Sequence, residues 1–208
     1  MVGSAARSGA EWVGFNLVPK SPRYIVRDAY ERVSDKLYDL LGSAAEAHVR
    51  SVILVVDPDI EFLRSLTDAV LPDAIQLHGS ESPEFVSAVR AAIPNYTEIW
   101  KVVGVANRSD LSQTAGYTAA DRLLIDAKPP VGADRTGGHG ITFDWSILEG
   151  WQAPKPWLLA GGLTHENVAS AIRATGADAV DVSSGVERET GVKDSGLIKQ
   201  FIAAAQAA

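Results

Sequence analysis

Cysteine is absent from this chain of 208 residues, and several classes of function are excluded with it. Without a thiol, the chain forms no disulfide, holds no cysteine-ligated zinc and supplies no thiolate nucleophile. Long apolar runs are also lacking, because none approaches the roughly 18 residues that cross a bilayer. Residues 1–10 contain no apolar core of a signal peptide, so we expect a cytoplasmic protein without membrane contacts.

Positive charge is scarce as well. The chain has 19 lysines and arginines against 26 aspartates and glutamates, a formal net charge of -7, and no dense basic cluster with interleaved aromatic residues. Such a chain disfavours binding to a nucleic-acid backbone, so we expect no nucleic-acid partner. No histidine and carboxylate grouping has metal-ligand spacing and no Ser-His-Asp arrangement stands out, so neither a metal site nor a hydrolytic triad is expected.

Apolar runs rich in β-branched residues alternate with helix-like stretches, which is the pattern of repeated βα units. Their continuous apolar character is typical of parallel strands that are covered on both faces. Strands are predicted over 12–17, 51–56, 74–77, 99–103, 122–125, 157–160 and 179–182, and helices over 27–41, 58–70, 83–93, 142–148, 167–175 and 197–207. With no linker or low-complexity tract, the chain is predicted to be a single domain over 1–208.

This alternation predicts an α/β fold, a TIM barrel of the (β/α)8 type. A barrel of this type closes with eight strands, and the sequence offers seven. Residues 2–8 resemble the end of a helix that leads through Gly9 into the first recognisable strand. We therefore expect the first strand and part of the first helix to be missing, so that the domain is incomplete at its N-terminus.

One extended loop is predicted over residues 127–141, which contain four glycines, and His139 within it is a candidate for folding over a ligand. Long loops inside compact domains are usually functional. The glycines have a simpler explanation in chain flexibility alone.

Two neighbouring strand exits near the end of the sequence carry glycine and serine. Gly161 and Gly162 follow one apolar run, and Ser183, Ser184 and Gly185 follow the next. Adjacent exits of this kind form a phosphate pocket in parallel barrels, because glycines let backbone N–H groups approach an anion. The alternative is a pair of purely structural βα turns. Two consecutive exits favour a phosphorylated small molecule as the ligand.

Two aspartates are placed by the strand pattern. Asp126 directly follows an apolar strand, where barrel enzymes position catalytic side chains, and an apolar setting would suit it to general-acid chemistry. Its alternative is a structural role, such as an ion pair with Lys128. Asp181 lies within a predicted strand, where an unpaired charge is costly, so we expect it to hold a basic partner or to orient a loop.

Arg23 and His78 also lie after predicted strands. Arg23 is held in a proline-stiffened loop, where a guanidinium grips a carboxylate by two parallel hydrogen bonds, unless it is only an exposed surface residue. His78 could line the pocket or take part in proton transfer. A structural hydrogen-bonding role for a lone histidine is the more frequent case.

These segments together resemble the phosphoribosylanthranilate isomerase family of the tryptophan pathway. The similarity runs in the family's order along nearly the whole chain. It is carried by residues 9–15, 21–24, 76–79, 124–126, 137–140 with 143–145, 159–163 with 167–168, and 180–187 with Gly191, Lys193 and Asp194. The last two groups are the specific ones.

The resemblance implies a single (β/α)8 barrel that performs an Amadori rearrangement without cofactor, as a monomer or homodimer. Asp126 matches the family's general acid, and Arg23 matches the arginine that faces the anthranilate carboxylate. The glycines and serines of the two exits match the phosphate cradle, with His78 and Asp181 at the substrate.

One departure is large. The family begins with a strand that ends in a Lys-Ile-Cys-Gly type motif, whose cysteine is the general base, and neither is found in this sequence. We expect impaired activity from these residues alone, and an upstream βα half-unit in the natural protein. Two alternatives stay open: a barrel that binds a phosphorylated ligand without catalysis, and another phosphosugar enzyme such as an epimerase or an indoleglycerol-phosphate synthase relative.

Overall fold

The computed structural model describes residues 1–26, 33–128 and 142–208. Its main sheet contains six parallel strands, arranged in space in the order in which they follow along the chain. They are β1 (Trp12–Asn16), β2 (Arg50–Val55), β3 (Ala74–Leu77), β4 (Glu98–Val105), β5 (Arg122–Ala127) and β6 (Trp157–Leu159). Sequential parallel order is the topology of a βα barrel, so the predicted fold class is confirmed.

Six α-helices lie within the described ranges. They are α1 (Val2–Ser8), α2 (Val33–Glu46), α3 (Ile60–Val70), α4 (Pro83–Ala92), α5 (Val168–Thr175) and α6 (Ser195–Gln206). Ser82 caps α4 ahead of a proline at the first helical position, and its hydroxyl accepts from the Phe85 amide. The α3 cap is Asp59, two residues later than the Asp-Pro pair that marked the predicted start.

The seventh predicted strand, 179–182, is reduced to a single parallel bridge between Leu159 and Val180. The amide of Asp181 still donates to the Leu159 carbonyl at 2.8 Å. The ladder ends there because Ser183, at ψ -79°, turns the chain into a short 3₁₀ helix, Ser184–Val186. After that turn comes an unpredicted antiparallel hairpin of β7 (Glu187–Glu189) and β8 (Val192–Lys193).

Other differences concern helices. The predicted helix at 142–148 is only a 3₁₀ turn, Trp145–Leu148, and the connection from β4 to β5 contains an unpredicted 3₁₀ helix, Arg108–Gly116. That segment is polar and has no amphipathic repeat from which a helix could be predicted. Residues 27–32 of the helix predicted over 27–41 lie outside the described residues. So do residues 129–141 of the predicted loop, including His139.

The core has two layers, one on each face of the sheet. Between the sheet and the helices lies a large cluster that includes Ile53, Ile75, Leu123 and Ile125. The other face carries a smaller cluster, with Val52, Ala74, Trp100, Val102, Leu124, Leu158 and Ala160 at its centre. The Trp12 ring meets Trp100 edge to face, with centroids 4.7 Å apart. Alternation along each strand separates the two layers.

Strand direction gathers the functional residues. Because all six strands of the sheet run the same way, their carboxyl ends and the loops after them lie on one side of the molecule. In the described ranges, β1 pairs only with β2, and the opposite side of the sheet ends at the bridge to Val180. Within those ranges, no helix has the length and apolarity to cross a bilayer.

Candidate active site

A cleft of about 1140 Å³ runs along the inner face of the sheet and opens at the strand exits. Seven of the site residues chosen from sequence line it alongside Asp126: Arg23, His78, Gly161, Gly162, Asp181, Ser183 and Ser184. Gly185 does not line the cleft, although its two chain neighbours do. The structure therefore brings together in one cavity residues that are up to 161 positions apart in the sequence.

The loop after β6 is shaped by glycine. Gly161 and Gly162 have φ angles of 89° and 60°, which L side chains rarely adopt. A Cβ at Gly161 would lie 2.7 Å from the Ala127 nitrogen and 3.0 Å from the Asp126 Oδ1 atom. Asn167 fastens the loop from the start of α5, because its Nδ2 donates to the Gly162 carbonyl at 3.0 Å.

The two predicted phosphate loops pack directly against each other. A Cβ on Gly185 would overlap the carbonyl oxygen of Leu163, which belongs to the loop after β6. The Lys193 Nζ donates to the Ser183 carbonyl at 2.8 Å and so ties the second loop to β8. The backbones of the two exits therefore form one continuous surface, which is the arrangement that a phosphate pocket requires.

Asp126 is held at both carboxylate oxygens. Its Oδ1 accepts from the Ala127 amide at 2.7 Å, and its Oδ2 lies 3.5 Å from the His78 Nε2. Both side chains are mostly buried, with 13% of each exposed. The alternative pairing with Lys128 is wrong, because that ammonium lies 3.5 Å from Asp110 instead.

Asp181 is partly buried beside these groups. Burial raises the pKa of its carboxyl above the ordinary range, and the neighbouring Asp126 charge raises it further. Lys193 opposes that shift of the pKa without cancelling it. The ammonium of Lys193 lies 2.9 Å from Glu187 and not in an ion pair with Asp181, so the basic partner or loop-orienting role expected for Asp181 stays a prediction.

Arg23 is not a free surface residue. Its Nε and Nη2 donate to the two carboxylate oxygens of Glu187, each at 2.8 Å, and only 11% of its side chain is exposed. Lys193 joins the same carboxylate at 2.9 Å. These hydrogen bonds and charges hold the pKa of Glu187 at about 2 against its burial, while burial lowers the pKa of Lys193.

Glu187 and Lys193 were part of the sequence resemblance, but no role was assigned to either. Only the tertiary contact between Arg23 and Glu187 reveals their role, because the two residues are 164 positions apart in the sequence. The only local indication is that both charges follow the glycine and serine exit after residue 182.

Lys101 and Glu81 form a second unpredicted pair. The Lys101 ammonium, only 2% exposed, donates to Glu81 at 2.7 Å and to the Gly79 carbonyl at 2.8 Å. Glu81 also accepts from the amides of Asp57 and Gly79. The pair thereby fastens the loops after β2 and β3 together, next to His78.

Comparison with known proteins agrees with this arrangement. The family model for N-(5'phosphoribosyl)anthranilate (PRA) isomerase matches residues 10–204. A protein of Hyphomonas neptunium named N-(5'-phosphoribosyl)anthranilate isomerase is 48% identical over 207 residues, which cover 100% of this chain and 92% of the relative. A relative of the same name from Cereibacter sphaeroides is 48% identical over 208 residues, which cover 99% of this chain and 92% of the relative.

Solved structures give the same result. The phosphoribosyl anthranilate isomerase of Thermotoga maritima superposes with a TM-score of 0.81 at 35% identity, covering 99% of this chain and 92% of its own. Another isomerase structure, in complex with reduced 1-(o-carboxyphenylamino)-1-deoxyribulose 5-phosphate, gives a TM-score of 0.78 at 31% identity, with 99% and 92% covered. This chain belongs to the N-(5'-phosphoribosyl)anthranilate isomerase family.

Proposed function

We propose that this chain rearranges N-(5-phosphoribosyl)anthranilate to 1-(2-carboxyphenylamino)-1-deoxyribulose 5-phosphate, in the cytoplasm and without a cofactor. The observation that carries the proposal is the placement of Asp126 in one cleft with two phosphate-type loops and a buried arginine. Each of these three features matches one part of the substrate: the sugar ring, the phosphate and the anthranilate carboxylate.

The phosphate binds at the joined loops. Gly161 and Gly162 on one side, and Ser183, Ser184 and Gly185 on the other, supply backbone N–H groups and hydroxyls. The packing of Gly185 against Leu163 supports this assignment, because it brings the two loops within reach of one dianion.

Arg23 binds the anthranilate carboxylate. A guanidinium has five N–H groups, and Glu187 engages two of them, so Arg23 is oriented and not consumed by its partner. Since Lys193 also contacts Glu187, this cluster of two cations and one anion retains a net positive charge for a ligand carboxylate.

Asp126 is the general acid. Its proton passes to the furanose ring oxygen, the bond between that oxygen and C1 breaks, and the nitrogen lone pair forms a Schiff base with C1. A base then removes the C2 proton to give an enolamine, which tautomerises to the ketone. The side chains of His78 and Asp181, both in the cleft, contact the ring-opened sugar.

The base step limits the rate of these 208 residues. The family resemblance assigns that step to a cysteine, and the sequence contains none. Since a positioned base contributes roughly 10²–10⁴-fold, we propose that turnover by this chain is slow. Binding, in contrast, rests on groups that are present in the cleft.

The assembly is a monomer or a homodimer. This proposal follows one structural neighbour, whose title describes mutually generated monomers of a dimeric isomerase from Thermotoga maritima. That neighbour is 33% identical to this chain.

Calorimetric titration tests the binding half of the proposal independently of the base. The ligands are the reduced product analogue found in the related structure, ribose 5-phosphate and inorganic phosphate. We expect one site per chain, with the analogue binding more tightly than ribose 5-phosphate and competing with phosphate. Phosphate binding without analogue binding would point to another phosphosugar enzyme. Failure of all three ligands to bind would contradict the proposal.

A further inference from the structure

A buried glutamine, Gln76, lines the cleft beside His78. Gln76 lies on β3 between Ala74 and His78, and its side chain faces the cleft. Only 6% of the residue is exposed, although it is polar. Burying an amide is costly unless it forms hydrogen bonds, so its partner is informative.

That partner is the imidazole of His78. The Gln76 Nε2 lies 3.0 Å from the His78 Nδ1. With the amide oriented as it is here, its nitrogen donates, so Nδ1 is the acceptor and the ring proton lies on Nε2. The Nε2 atom in turn lies 3.5 Å from the Asp126 Oδ2. The Gln76 amide thus hydrogen-bonds one ring nitrogen of His78, and the other ring nitrogen contacts Asp126 at a distance that is long for a hydrogen bond.

We infer that Gln76 is a positioning residue that keeps His78 as the neutral Nε2–H tautomer facing Asp126. The inference rests on the general-acid role proposed for Asp126. Gln76 itself does not touch the reacting atoms. It sets which nitrogen of His78 carries the proton, and thereby whether Asp126 or His78 holds the acid proton.

The chemistry explains why such a device is needed. Beside a carboxyl group, a free imidazole with an available nitrogen takes the proton, since its unperturbed pKa of about 6.5 exceeds the roughly 3.9 of an aspartic acid. With the Gln76 nitrogen directed at Nδ1, an imidazolium would point one N–H at another, and the amide would have to turn over to present its oxygen. The neutral ring is therefore favoured, and the proton remains available to Asp126 and the sugar oxygen.

Charges around the ring come from two neighbouring elements. Asp126 faces it from β5, and Asp181 acts on it from the segment after β6. Two carboxyl groups therefore lie around the imidazole, one on each of these elements. The Gln76 amide is the contact on β3 that acts against the two carboxylates.

Nitrogen-15 NMR of the labelled full chain tests the tautomer directly. Long-range proton–nitrogen spectra distinguish a bare ring nitrogen from a protonated one, and a His78→Asn spectrum identifies the His78 signals. In the unmodified chain we expect Nδ1 to be bare and Nε2 to carry the proton. In Gln76→Leu both tautomers should be present, and in Gln76→Glu both nitrogens should be protonated near neutral pH.

A rate measurement tests the consequence for catalysis. With the protein in excess over phosphoribosylanthranilate, Gln76→Glu should slow the chemical step about tenfold while the affinity for the reduced product analogue changes less than twofold. Exposed Gln152 offers the matched control, because Gln152→Glu makes the same change far from His78 and should alter neither quantity. Thermal unfolding of each variant reports whether it has folded.

The outcomes separate cleanly. A protonated Nδ1 in the unmodified chain, or identical His78 spectra with and without Gln76, would overturn the inference. So would an unchanged rate in Gln76→Glu despite the expected spectrum. If no variant turns over the substrate, the proposed function fails, while the spectra still decide the tautomer.

Discussion

At the scale of single residues, the cleft contains a carboxyl group, Asp126, and a cationic guanidinium, Arg23. Asp126 stands beside a histidine and a glycine loop, while Arg23 is anchored by a carboxylate whose pKa lies at about 2. The strand position of Asp126 made it a candidate from sequence, and its catalytic role stays a prediction. The partner of Arg23 was not identifiable in this way, since no local pattern links two residues 164 positions apart.

Glu187 makes the stability of the protein depend on pH in a defined window. Its pKa is lowered from 4.5 to about 2, so the folded state binds its proton less readily than the unfolded state. The stabilisation is full above about pH 4.5 and is lost as the pH falls from there toward 2. Urea unfolding across this range should show a decline that is smaller in Glu187→Gln, where only the other carboxyl groups with lowered pKa values, such as Glu98 and Asp110, still contribute.

The substitution also removes a charged acceptor from two cations. At pH 7, Glu187→Gln should therefore unfold more easily by about 1–3 kcal/mol. Exposed Glu166 offers a matched control, and Glu166→Gln should leave both the stability and its pH dependence unchanged. An acid profile of Glu187→Gln identical to that of the unmodified chain would refute the assignment.

Arg23→Lys tests the carboxylate site. Lysine keeps the charge but loses the planar fork that binds Glu187 and the ligand carboxylate. We expect the affinity for the reduced product analogue to fall about 10–100-fold, since a displaced charged hydrogen bond costs about 1.5–3 kcal/mol. The affinity for inorganic phosphate should stay the same.

The control for that substitution is Arg188→Lys, at an arginine whose side chain is 65% exposed. It should leave both affinities unchanged. If Arg23→Lys weakened phosphate and analogue to the same extent, Arg23 would belong to the phosphate end or to the general stability of the cleft.

At the scale of elements, the proposed phosphate site depends on the packing of the loop after β6 against the loop that contains Gly185. Gly185 has no room for a Cβ, because the Leu163 carbonyl occupies that position. Gly185→Ala should push the loops apart and weaken phosphate binding at least tenfold, as judged by calorimetry. It should also lower the melting temperature.

Gly42 offers the matched control for glycine replacement. It lies inside α2, and a Cβ there meets nothing within 4 Å. Gly42→Ala should leave phosphate binding unchanged and raise stability by about 0.5–1 kcal/mol, as expected for a helix interior. Normal phosphate binding by Gly185→Ala would show that the contact between the loops is not needed for the site.

The elements also show where sequence reasoning succeeds. Strands such as β2 and β3 were predicted because nearly every side chain in them is buried, so the apolar run itself marks the strand. The bridge at Val180 could not be foreseen, since its apolar run is ended by a backbone turn at Ser183. The hairpin of β7 and β8 is short and rich in charge, and it carries no periodic apolar signal.

Lys101 illustrates a further limit. The sequence places it within the apolar strand β4, where period-two alternation sends its side chain to the outer face of the sheet. Only the fold shows that the Lys101 ammonium donates there to Glu81 and to two backbone carbonyls. Buried ion pairs of this kind depend on tertiary contacts, and residue spacing does not reveal them.

At the scale of the whole molecule, a sheet in sequential order places Asp126, the two loops rich in glycine and serine, and Arg23 at one rim. The family model spans residues 10–204, and the named relatives are covered over 92% of their length. The expectation that the family's first strand lies outside this chain stays a prediction. The cleft contacts provide the reason to expect binding and acid catalysis from the residues present.

One measurement tests this account most directly: the loss of phosphoribosylanthranilate fluorescence with the chain in excess, so that a single slow turnover is visible. The account predicts faster decay than in buffer, and a rate at least 100-fold lower in Asp126→Asn, the scale of a positioned acid. Asp126→Asn should still bind the reduced product analogue, and the exposed control Asp68→Asn should behave like the unmodified chain. Equal decay with the unmodified chain, Asp126→Asn and buffer would contradict the account and identify a barrel that binds its ligand without catalysis.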